Sequence, residues 1–65
     1  MKLALAPLEE ILREQGGQRV SRLAVEEFRD AVEEYAQALA EVSVAMAHHA
    51  GRKTVKANDI KIAIK

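Results

Sequence analysis

The longest regular pattern in the chain runs from Ser21 to Ala50. Phe28, Val32, Tyr35, Leu39, Val42 and Met46 follow one another in steps of four and three. That spacing places them on one face of a helix. Ala24, Ala31, Ala38 and Ala45 recur every seven residues on a neighbouring face, where small side chains let another helix approach closely. Ser21 can cap the helix by accepting from its orphan N–H groups. The residue three positions on is Ala24, so the acid of a full capping box is missing. Gly51 suits the C-terminal cap. At 1.5 Å per residue such a helix is a rod of roughly 45 Å.

Two shorter patterns flank the rod. Leu8, Ile11 and Leu12 give a first helix one apolar face. Pro7 fits its first turn, where a missing N–H costs nothing. Glu9 and Glu10 are expected near its positive N-terminal end, and Gly16-Gly17 stops it. Arg19-Val20-Ser21 and Arg52-Lys53-Thr54-Val55-Lys56 read as short extended segments, with Val20, Thr54 and Val55 as the β-branched residues. A last helix has Asn58 and Asp59 in its first turn. Ile60, Ala63 and Ile64 share one face of it, and Ile62 points elsewhere. The expected order is short helix, extended loop, long helix, extended loop, short helix. The class is all-α, with approximate two-fold symmetry about the middle of the long helix.

Short helices cannot cover a rod of that length, so the pattern calls for a second copy of the chain. Length sharpens the point. Sixty-five residues make a single domain, residues 1–65, and one so small usually needs disulfides, metal or oligomerisation. There is no cysteine. The two histidines, His48 and His49, are adjacent, and neighbouring helical positions point about 100° apart, so they make no two-ligand face. Oligomerisation is the staple left. No signal peptide or membrane-length apolar run is visible, so a soluble intracellular protein is expected.

Formal net charge is zero, but the charge is polarised. Glu26, Glu27, Asp30, Glu33, Glu34 and Glu41 face only Arg29 in the middle of the chain. Arg52, Lys53, Lys56, Lys61 and Lys65 face only Asp59 at the end, and Arg19 and Arg22 form a smaller basic spot. Local field rather than net charge then decides what binds.

The chain resembles an archaeal histone. Leu5-Ala6-Pro7, Arg19-Val20-Ser21, the run from His49 to Ala57 and Asp59-Ile60 carry the resemblance, which covers essentially the whole chain. It implies the histone fold, in which two chains clasp head to tail with their long helices crossing. The first loop of each then lies beside the second loop of the other. The long helix, read first as a core seam, becomes the crossing element of a homodimer.

The resemblance also implies which residues act. The arginine matching Arg19 enters the DNA minor groove, where a narrow groove favours a guanidinium, and the threonine matching Thr54 holds it. Arg52, Lys53, Thr54 and, more weakly, Lys56 are expected on phosphates, as are Ser21 and Arg13, the only base of the first helix. Arg52 has a second role open to it, a structural pair with Asp59. Met46, His49, Asp59 and Ile62 match positions through which family dimers join into tetramers and longer arrays. There His49 is expected to hydrogen-bond Asp59. Alternatively, His49 simply tops the helix C-terminus. Gly16 matches a small residue that lets superhelical turns stack, or it is only a helix stop.

Two functions follow. The first is a non-catalytic architectural protein on the chromosome: a homodimer that binds, bends and compacts double-stranded DNA without strong sequence preference. The second is an interaction module that pairs with a more basic histone, or another protein, and binds DNA weakly itself. Glu9, Glu10 and Glu14 favour the second; Arg19, Thr54 and the Arg52-Lys53 pair favour the first. No cofactor or membrane is implied. No catalytic arrangement, phosphate-binding glycine loop or metal cluster appears in the sequence.

Overall fold

A computed structural model describes residues 2–65. It contains three helices, α1 (Leu5–Glu14), α2 (Arg22–His49) and α3 (Ala57–Ile64). The two segments expected to be extended are loops, and no strand occurs among the described residues. β-branched residues favour extended backbone, but a strand needs a ladder partner to be one.

The helix ends are set by local chemistry. Ser21 Oγ accepts from the Ala24 N–H at 3.1 Å, capping α2. At the other end Gly51 takes φ +75°. Its N–H donates to His48 O, and the Arg52 N–H donates to Ala47 O at 2.9 Å. This paired arrangement satisfies two orphan carbonyls and requires a residue that tolerates left-handed backbone. The end of α1 repeats it. Gly16 stands at φ +105°, with Gly16 N–H to Arg13 O and Gly17 N–H to Leu12 O. A side chain at Gly16 would meet nothing within 4 Å, so its conformation, not crowding within the chain, calls for glycine. Helix α1 begins at Leu5, earlier than the sequence suggests. Pro7 is still in its first turn, but Glu9 and Glu10 fall in the second, and no acid lies in the first turn.

The chain divides into two compact units, one ending at Glu34 and the other spanning Tyr35–Lys65. The first holds α1 and the start of α2. Leu8 and Val25 are its buried apolar residues. Glu33 is buried with them, and its Oε1 accepts from the backbone N–H of Lys2 and of Leu3. That strap ties the segment before α1 to α2. These two N–H bonds, Lys2's first, hold the Glu33 carboxyl below its ordinary range. The second unit holds the rest of α2, its loop and α3. Ser43 and Ala47, one helical turn apart, are enclosed, and the Ser43 hydroxyl donates to Leu39 O at 2.8 Å. That bond satisfies a buried polar group without interrupting the helix.

Burial along α2 follows the same gradient in each unit. In the first, Val25 is buried, Phe28 and Val32 are half-buried, and Ala24 and Ala31 are exposed. In the second, Ser43 and Ala47 are buried, Leu39 and Met46 are half-buried, and Ala38, Val42 and Ala45 are exposed. Tyr35 stands 61% exposed. At about 100° per residue, the apolar positions from Ala45 round to Ala47 occupy an arc of about 200° on α2. Taken unit by unit, the described residues cover only one edge of that arc. The seam and the alanine face are therefore not a core within one chain. In α3 likewise, Ile60 and Ala63 are half-buried, while Ile64 and Ile62 are 59% and 45% exposed.

Candidate nucleic-acid interface

The expected DNA-binding residues gather around two loops, one in each unit. The first loop, between α1 and α2, is framed by Arg13 in the last turn of α1, Arg19 within the loop, and Ser21 and Arg22 at the start of α2. Arg19 is exposed and has no ion-pair partner among the described residues. Arg13 Nη2 lies 3.1 Å from Glu9 Oε2, one turn back on α1. Arg22 Nε lies 3.6 Å from Glu26 Oε2, one turn on along α2. Ser21 Oγ uses a lone pair for the cap, which leaves its O–H free to donate to an anion.

The second loop, between α2 and α3, is fixed by Arg52 and Asp59. Arg52 Nη1 donates to Asp59 Oδ2 at 3.0 Å, and Nη2 donates to Oδ1 at 2.8 Å. This is the bidentate fork that matches guanidinium to carboxylate. Arg52 Nη1 also donates to Thr54 O at 2.9 Å, holding the loop backbone. Asp59 Oδ2 further accepts from the Lys56 N–H at 2.8 Å, closing the start of α3. The Asp59 N–H donates to Lys56 O. The carboxylate of Asp59 caps here; the ammonium of Lys56 has no lone pair to accept with. The Arg52 bonds first, then the Lys56 N–H, hold the Asp59 carboxyl at a pKa of about 2. Arg52 is raised in turn by the same bonds.

This geometry sorts the sequence-based candidates. Arg52 has its fork occupied by Asp59 and also donates to Thr54 O. Lys53, Thr54 and Lys56 are exposed, and neither lysine has an ion-pair partner among the described residues. With Arg52 and Asp59 cancelling each other, these two lysines carry the loop's net positive charge. Of the residues expected between dimers, Met46 is half-buried, and His49 and Ile62 are exposed. Asp59 is only 3% exposed and both its oxygens are engaged within the chain. An incoming His49 from another copy would have to use a remaining lone pair of that carboxylate.

Sequence reading missed Glu33, Ser43 and the Arg13–Glu9 and Arg22–Glu26 pairs. Both pairs were readable from their i,i+4 spacing. Glu33 was not, because its Leu3 bond spans 30 residues and nothing local marks it within an acidic run.

Two short helices flanking one long helix, with a basic loop at each junction, define the histone-fold class. The chain belongs to the family of histone-like transcription factors (CBF/NF-Y) and archaeal histones, which residues 1–64 match. Two relatives resemble it over nearly their whole length. It is 41% identical over 64 residues to one of the subunits of archaeal histone HAN1 from Thermococcus zilligii, covering 98% of this chain and 96% of that one. It is 47% identical, over the same shares, to probable archaeal histone 3 of Methanocaldococcus jannaschii. No helix of the described residues is long and apolar enough to cross a membrane.

Proposed function

We propose that the protein is a non-catalytic architectural component of the chromosome. It binds double-stranded DNA through its two loops and works as a head-to-tail dimer of one domain per chain. The observation that carries this reading is the uncovered apolar arc of α2 together with a basic loop at each end of that helix. The arc needs a second long helix. An antiparallel crossing at mid-helix sets the first loop of one copy beside the second loop of the other. Each end of the dimer then offers Arg19, Ser21, Lys53, Thr54 and Lys56 together.

In that arrangement Arg19 enters the minor groove and Thr54 steadies it. Lys53, Lys56 and the Ser21 hydroxyl take phosphates, and Arg13 reaches the backbone from α1. These contacts ignore base sequence and release counterions, so binding falls steeply with salt. Arg52 supports them indirectly by bracing the loop through Asp59. Dimers join through Met46, His49, Asp59 and Ile62 into tetramers or longer arrays that compact DNA, with His49 donating to a remaining lone pair of Asp59. The protein works in the nucleoid, within the cytoplasm.

A second reading has its own support. Glu9, Glu10 and Glu14 lie on α1, and net charge is zero, so a partner chain richer in bases would strengthen DNA binding. The HAN1 relative is by its name one component of a multi-chain histone. In this reading the protein is the weaker DNA-binding half of a heterodimer with a more basic histone or another protein.

Gel shift with a mixed-sequence duplex across a salt series separates the readings. The first expects a steep salt dependence, with Arg19→Ala abolishing most binding. No shift by the protein alone at low salt, restored on adding a more basic histone, would reject the first in favour of the second.

A further inference from the structure

Three arginines frame the first loop, and they are not equally available. Arg19 has no ion-pair partner among the described residues, whereas Arg13 and Arg22 each face a carboxylate of their own helix. We infer that Glu9 and Glu26 set the protein's affinity for DNA by holding Arg13 and Arg22 until duplex phosphate displaces them. This rests on the DNA-binding reading above and deepens it.

Both pairs lie in water. The side chains are 54% and 43% exposed in Arg13–Glu9, and 79% and 35% in Arg22–Glu26. They can open at little cost, in contrast to Arg52–Asp59, where the Asp59 side chain is 4% exposed and the fork is closed. Exchange of carboxylate for phosphate is therefore open to Arg13 and Arg22 and shut to Arg52.

The cost of exchange is higher than for an ordinary surface arginine. When an arginine with no carboxylate beside it reaches a phosphate, the cation condensed on that phosphate leaves, its release drives binding, and nothing repulsive stays behind. A carboxylate anchored one turn away cannot leave. It stays beside the phosphate as a like charge, so the arginine loses a partner and the duplex gains a repulsive neighbour. The orientation ranks the two. Glu9 precedes Arg13 by four residues, the better order for a helical pair, while Arg22 precedes Glu26. The 3.1 Å and 3.6 Å separations run the same way, so Glu9 has the larger effect. Salt screens both pairs, so the effect shrinks as ionic strength rises.

The test measures dissociation constants for a mixed-sequence duplex at low and moderate salt. The variants are Glu9→Gln, Glu26→Gln and the control Glu41→Gln. Glu41 is exposed on α2, has no ion-pair partner among the described residues, and its replacement makes the same change in net charge. Each pair variant is also made in the matching Arg13→Gln or Arg22→Gln background, and circular dichroism checks that helicity is kept. Glu9→Gln is expected to tighten binding about two- to fivefold at low salt, the range of an exposed pair, and Glu26→Gln by less. Glu41→Gln should change it least, and the gains should vanish once the partner arginine is gone. Equal tightening by Glu41→Gln, or gains that survive without the arginines, would overturn the inference and leave the DNA-binding reading standing. Failure of the wild type and every glutamate variant to bind at low salt would remove both.

Discussion

Asp59 shows how one carboxylate can serve a loop and a helix together. It takes both arms of Arg52 and the Lys56 N–H, so it braces the second loop and starts α3. Its pKa falls from 3.8 to about 2, chiefly through the Arg52 bonds. A depressed folded pKa means that the folded state binds fewer protons than the unfolded chain between those values. The stability this gives is present above pH 3.8 and is lost as pH falls toward 2. Glu33 acts in the same sense, since the Lys2 and Leu3 N–H groups lower its pKa too. Thermal melts from neutral pH to pH 2 are therefore expected to show a falling midpoint in the wild type. Asp59→Asn should start lower at neutral pH and fall less on acidification. Parallel curves for the two proteins would show that Asp59 is not the titrating brace. Arg52→Lys should also lower the neutral-pH midpoint, because an ammonium cannot reproduce the fork.

At the scale of elements, the ends of α2 are more strongly specified than its middle. Ser21→Ala removes the bond to the Ala24 N–H and should cost about 1 kcal/mol. Gly51→Ala forces a Cβ into φ +75° and should cost about as much. In a domain of this size each loss lowers the melting midpoint by roughly 4–8 °C, readable by circular dichroism; a change under one degree in either would mean that the end frays at no cost. These ends were legible in the sequence because a cap needs one residue type at one position. Ser21, Gly16 and Gly51 all stand where pattern reading put them. The all-α class and the three helices were legible for a related reason, since apolar spacing and breakers agree along the chain. The extended segments misled because Val20, Thr54 and Val55 express a preference that only a ladder partner can realise. In the site, Arg19 and the Arg52–Asp59 pair came from resemblance; no spacing rule yields a pair seven residues apart across a loop. Glu33 and Ser43 stayed hidden because what makes each special is burial, which depends on the fold around it.

For the whole molecule, the uncovered arc of α2 decides how it is stabilised. Among the described residues few side chains are fully enclosed, Val25 and Ser43 being the largest, and no disulfide is possible without cysteine. Meanwhile Tyr35 and Val42 stand 61% and 47% exposed beside a row of alanines. In the proposed dimer, a chain with so small an internal core gains most of its stability from the surface a second copy covers. Folding is then coupled to association, and stability depends on protein concentration. Each tenfold rise in concentration adds about 1.4 kcal/mol per dimer. Spread over two chains of this length, it should raise the melting midpoint by roughly 3–5 °C. Val42→Glu places a carboxylate on the face to be covered, where an unpaired charge costs several kcal/mol or drives the group to protonate. That variant should sediment as a monomer and lose most of its helicity. A more conservative change, Ala38→Ser, keeps the side chain small and should leave the concentration dependence intact. A wild-type midpoint that stays constant over a hundredfold range, with monomer throughout in sedimentation equilibrium, would sink the homodimer. It would also sink the pairing of first and second loops between two copies of this chain, since without a second copy Thr54 has no way to steady Arg19 from the neighbouring chain, and only a heterodimer could then keep the minor-groove role of Arg19.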